Sequence, residues 1–149
     1  MLTSTTVTPL RKVSPHFQRS INLTYDAGNA DYIAGYIPTT NGVKALEYVL
    51  NNILVDERPR AHVWHAPYGS GKSLLSIVLN ALASHDPSCQ AAITTIIGRI
   101  RRLDLESADS IEKYWLSHQR LLPVILSGDE GTLSIALTRA LMRSLVQVG

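Results

Sequence analysis

Residues 66–73 of this 149-residue chain read Ala-Pro-Tyr-Gly-Ser-Gly-Lys-Ser, with the short run Ala61–His65 before them and residues 72–84, apolar on nearly every side of a helix, after them. A glycine-rich loop ending in Gly-Lys-Ser and running straight into a helix is a recognised device for holding phosphate. Gly69 and Gly71 admit backbone conformations closed to other residues, so the chain can wrap an anion closely. Successive N–H groups then point inward as a nest, and the following helix offers its positive N-terminus. Gly71, Lys72 and Ser73 match the last three positions of the pattern, whereas Ala66 stands where the pattern has glycine.

The chemistry assigns roles to these residues. Lys72 is expected to reach the β- and γ-phosphates of a nucleoside triphosphate, and the Ser73 hydroxyl to bind Mg²⁺. The expected nucleotide contacts are Ala66, Pro67, Tyr68, Gly69, Ser70, Gly71, Lys72, Ser73 and Leu74. ATP with Mg²⁺ is the expected ligand, because the guanine-reading pattern Asn-Lys-x-Asp does not occur. Tyr68 either covers the phosphates, meets a partner, or faces solvent.

Around the loop, strand and helix patterns alternate. Ile21–Tyr25 alternates apolar and polar residues as a half-buried strand does. Thr39 or Thr40 caps a helix marked by Val43, Leu46, Val49, Leu50 and Ile53, and Asp56–Arg60 forms a charged turn. Ala61–His65 reads as a strand and Lys72–Ser84 as a buried helix. Asp86 with Pro87 starts a helix with the stripe Ile93, Ile96, Ile97, Ile100 and Leu103. A further helix spans about Ser107 to His118, and Leu121–Leu126 reads as a strand covered on both faces. Leu133, Leu137, Ala140, Leu141 and Leu145 mark a last amphipathic helix. This order predicts a three-layer α/β/α fold with a parallel sheet, incomplete at the C-terminus. Residues 1–18 are expected to be a tail, 19–60 a strand–helix lead-in, and 61–149 the nucleotide-binding core.

A hydrolysing site also needs a carboxylate at the end of a second strand. Asp129 and Glu130, after Pro123–Leu126, are the candidates. They serve Mg²⁺ and water, or they favour the next helix N-terminus through its dipole. Arg99, Arg101 and Arg102 read as a solvated helix end, and the net charge of +2 does not argue for nucleic acid. His62 and His65 lie on opposite faces of an extended segment, which argues against a shared metal. One cysteine, Cys89, excludes an internal disulfide framework and fits a cytoplasmic chain. No run is long and apolar enough for a membrane span.

The order Val43–Leu54, Glu57-Arg58-Pro59, Ala61–His65 and Ala66–Ser73 resembles the entry to a P-loop NTPase core of the AAA/ASCE type. Together with Tyr36-Ile37-Pro38-Thr39, His65 and Pro123–Gly128, it resembles the N-terminal part of large bacterial phage-defence ATPases of the BREX type, over about residues 20–149. The resemblance implies ATP hydrolysis coupled to movement of domains or DNA, often within a ring of subunits. It carries Lys72 and Ser73 over as phosphate and Mg²⁺ residues. No stretch supplies a Walker B acid in its usual place, a sensor, an arginine finger or a lid. Two functions therefore stand side by side: an ATPase module of a defence or DNA-directed machine, and a nucleotide-binding switch or scaffold without turnover. Partners implied are nucleotide, further copies or other subunits, and DNA.

Overall fold

The computed structural model describes residues 20–55, 61–117, 119–126 and 131–148. The expected tail 1–18, the charged turn 56–60, and the segment 127–130 with Asp129 and Glu130 lie outside these residues. The regular structure is helical: α1 (Leu23–Asp26), α2 (Ala30–Ala34), α3 (Thr40–Leu54), α4 (Lys72–Ser84), a 3₁₀ turn at Pro87–Cys89, α5 (Gln90–Leu103), α6 (Leu105–Leu116) and α7 (Leu133–Val148).

The expected α/β/α fold with a parallel sheet is therefore corrected: the described residues contain no strand and no sheet. Ala61–His65 is not in a strand, although its burial alternates as a strand's does. His62 and Trp64 are half-buried, while Val63 is 94% exposed. The His62 ring meets Tyr48 of α3 edge-on at 5.4 Å. The segment lies along helices, and no neighbouring strand supplies the ladder hydrogen bonds that define a sheet. Leu121–Leu126 is likewise a strap. Leu121 N–H donates to Ala83 O at 2.8 Å, and Pro123 O accepts from the Ser144 hydroxyl of α7. Leu121, Leu122 and Leu126 remain exposed, contrary to a strand covered on both faces.

Ile21–Tyr25 also departs from a strand, for a local reason. Asn22 accepts from Thr24 N–H, and Asp26 Oδ2 accepts from Asn22 N–H, so two side chains close a helical turn. Asn29 then caps α2 through Asp31 and Tyr32. Thr39 caps α3 through Gly42 N–H, as its position suggests. Asp86 caps the 3₁₀ turn that leads into α5.

The core joins α2, α3, α4, α5 and α6. Ile33, Leu46, Leu50, Ile77, Leu82, Ile93, Ile96, Ile100, Ile111 and Tyr114 are each essentially removed from water. The stripe predicted for α5 is buried except at its end, where Leu103 is half exposed. Arg99 donates to Ala34 O and Tyr36 O, which ties α5 to the end of α2. Arg101 pairs with Asp109 and Glu112 of α6. Residues of the lead-in and of the segment after residue 61 thus share one core.

α7 keeps its helical period, but of the five residues expected on its apolar face Ala140 alone is buried. Ala136, Ala140 and Ser144 are buried, whereas Leu133, Leu137, Leu141 and Leu145 are exposed. Small residues let the helix approach the strap closely enough for Ser144 to reach Pro123 O.

Two measurements check this packing. Ile96→Ala should cost about 2–5 kcal/mol in a urea melt, whereas Leu116→Ala, at an exposed position, should stay within about 0.5 kcal/mol. Asp104 caps α6, and its carboxyl is held below the ordinary value of 3.8, first by Ser107 N–H, then by the Ser107 hydroxyl and Lys44. Because the native value is lowered, the cap's contribution is present above pH 3.8 and is lost as pH falls through the native value. Urea melts of wild type and Asp104→Ala should accordingly differ most near neutrality and converge on acidification.

Candidate functional site

The loop of residues 66–71 ends in two left-handed glycines, Gly69 at φ 78° and Gly71 at φ 84°. L-residues are strained there, so the glycines are what permit the chain to reverse and enter α4 at Lys72. A Cβ at either position would meet no atom within 4 Å, which makes the requirement conformational rather than steric.

Gly71 is the N-cap of α4 and brings no side chain to the helix end. The starts of α1, α2, α3 and α6 are each closed by an Asn, Thr or Asp side chain. The first N–H groups of α4 have no such partner, and the first turn holds no acidic residue. A helix end of this kind concentrates donors and positive potential on whatever anion approaches it.

Lys72 is folded back over the loop. Its Nζ donates to Ala66 O at 2.6 Å, to Pro67 O at 2.8 Å and to Ser70 Oγ at 3.4 Å. The ammonium is thereby held against the loop by two of its carbonyls and the Ser70 hydroxyl. Ser73, the second residue of α4, is exposed, so its hydroxyl lies at the surface beside the helix start. Tyr68 is 97% exposed, the solvent-facing alternative for that ring. Leu74 is half-buried.

Beside the loop is a cavity of about 710 Å³, within the range of small-molecule sites. The loop and the start of α4 form one wall. Tyr36, Thr39 and Gly42 form another, and Trp64 and His65 a third. Gly42 is needed for this wall: a Cβ there would sit 2.6 Å from the Tyr36 hydroxyl and 3.0 Å from Thr39 Oγ1. Burial raises the Tyr36 phenol above its ordinary value, so it presents a neutral hydroxyl near physiological pH.

Of the expected nucleotide contacts, Ala66, Pro67, Ser70, Gly71, Lys72 and Leu74 line this cavity. The cavity's far walls were not read from the sequence, because Tyr36, Gly42 and Trp64 reach it only through packing. Gly42 was the available signal, being a glycine inside a helix with no cap to form. Asp129 and Glu130 lie outside the described residues and cannot be placed against the loop. Among the described residues, no group of three or more His, Cys, Asp or Glu could hold a metal. A Mg²⁺ held chiefly by phosphate oxygens and water would ask of the protein little more than a hydroxyl, and that of Ser73 is exposed.

No protein-family model matches the chain, and no match was found among curated proteins or among solved structures. Among the described residues, no helix is long and apolar enough to cross a membrane.

The loop geometry makes a direct prediction. Gly71→Ala should cost about 1–2 kcal/mol in a urea melt despite the free space around it, because the left-handed conformation is strained for alanine.

Proposed function

We propose that this chain binds a nucleoside triphosphate, ATP with Mg²⁺, at the loop of residues 66–73. The observation that carries the reading is the combination at one point of two left-handed glycines, an uncapped helix start and the Lys72 ammonium. Together they supply N–H donors, the helix field and a positive charge, each of which favours an oxyanion. On binding, Lys72 exchanges the neutral oxygens of Ala66, Pro67 and Ser70 for phosphate oxygens. The neighbouring cavity is of a size to take the nucleoside, against Tyr36 and Trp64.

The likeness of residues 65–73 to AAA-type and phage-defence ATPases supports placing this binding in a larger cytoplasmic machine, as its ATPase module. The buried, unpaired Cys89 is compatible with that compartment. A second reading, binding without turnover, is favoured by one observation: among the described residues no Asp or Glu lines the cavity. In that case the nucleotide gates assembly or docking, and ATP is held rather than consumed.

Calorimetry with MgATP on wild type and Lys72→Ala tests the proposal. Wild type should show a single saturable site, and the variant should lose at least about tenfold in affinity, as expected for a charge-assisted contact to phosphate. Equal affinity in the two proteins would end the assignment to this loop. Phosphate release by the same wild-type sample would decide for turnover, and its absence for the switch.

A further inference from the structure

A second cavity lies at the other end of α4. It encloses about 600 Å³ between the C-terminal half of α4, the α1 region, the strap 120–126 and α7. Along the helix axis the two ends of α4 are about 18 Å apart, so this cavity is separate from the loop of residues 66–73.

Among the described residues, its charged lining is Arg120, Arg143 and Asp86. Both guanidiniums are held by backbone. Arg120 Nε donates to Ser84 O at 3.2 Å, and Arg143 Nη2 donates to Ile125 O at 3.4 Å. Anchoring through one nitrogen keeps Arg120 in place while its two terminal amino groups stay available. They form no hydrogen bond or ion pair among the described residues. Asp86 opposes them less than its charge suggests, because its Oδ1 accepts from both the N–H and the hydroxyl of Ser88. The rest of the wall is mixed: Asn80 brings an amide, and Leu122 and Ile125 bring apolar surface.

We propose that this cavity binds an organic anion, an oxyanion head carried on an apolar body. The planar fork of Arg120 suits a carboxylate or a phosphate in two-point contact. Arg143, on the facing helix, adds the second positive charge, and the side chains of Leu122 and Ile125 cover the body of the ligand. Because the site borders the last turn of α4 and the loop precedes its first turn, one rigid element touches both.

The test uses the full chain and three probes of similar shape: benzoate, phenyl phosphate and neutral benzamide. Calorimetry should show saturable binding of at least one anion, with benzamide weaker by about tenfold or more. Comparing benzoate with phenyl phosphate identifies the preferred head. Arg120→Gln and Arg143→Gln should each weaken the preferred anion by about tenfold, in wild type and in a Lys72→Ala background alike, with thermal melts confirming the fold. Added salt should weaken anion binding by wild type, a readout that needs no variant. Should Arg120→Gln fail to fold, Arg143→Gln and the salt series decide. The proposal is overturned if neither anion saturates, if benzamide binds as well as the anions, or if Lys72→Ala abolishes binding that both arginine variants retain.

Discussion

Ile77, Val78, Ala81 and Leu82 take the middle of α4 out of water against α2, α3 and α5. Each large side chain so buried stabilises its helix by about 1.5–3 kcal/mol, and a close-packed interior does not let such a helix slide. The position of the body then dictates where both ends stand. At the start, the helix can begin at Lys72 because Gly71 adopts a conformation that ends the loop without a side chain. At the finish, His85 is left-handed at φ 50°, an uncommon conformation for a residue with a Cβ. Its ring is held flat against Trp115 at 4.6 Å, and its Nε2 lies 2.9 Å from Trp115 O, so α6 fixes the exit. Arg120 and Leu121 then satisfy the carbonyls of Ser84 and Ala83 that a helix end leaves over.

What the sequence made legible divides by range. Helices were readable where a cap and a stripe coincide: Thr39 before Val43, Leu46 and Leu50, or Asp86 and Pro87 before Ile93, Ile96 and Ile100. Both signals act within a turn or two, so a neighbour-by-neighbour reading captures them. Strands depend on a partner that local sequence does not contain. Ala61–His65 has the period of two, and the structure keeps that period in its burial, yet helices rather than strands cover its inner side. In Ile21–Tyr25 the alternation was outweighed by Asn22 and Asp26, whose side chains close a helical turn. α7 shows a third kind of limit. Its period was correct, but the inward face turns about Ala140 toward Ala136 and Ser144, which offer a closer approach than the leucines beside them.

The candidate site divides in the same way. The left-handed conformations of Gly69 and Gly71, and the places of Lys72 and Ser73 at the start of α4, are properties of consecutive residues. The walls of the cavity are assembled from Tyr36, Gly42, Trp64 and Leu75, separated by up to several dozen positions, and only the packing of α3 beside α4 brings them together. Gly42 illustrates the cost of that approach. A glycine inside α3 gives up about 1 kcal/mol of helix propensity relative to alanine. Retaining it makes sense where a methyl group would press on the Tyr36 hydroxyl at 2.6 Å.

Lys72 sets the electrostatic condition for any ligand at the loop. Its ammonium already has three oxygen partners, so phosphate gains by the difference between those contacts and its own. The loop carbonyls are neutral and near solvent, and the contacts they make are worth less than those of a phosphate carrying formal charge at a helix N-terminus. On the proposed binding the exchange would run toward the anion, and the loop is supported by the same contacts without one. This also separates a binding role for Lys72 from a folding one. Pro67 and Ser70 are exposed, so water can replace much of what the ammonium gives the loop, whereas water cannot replace a positive charge beside phosphate.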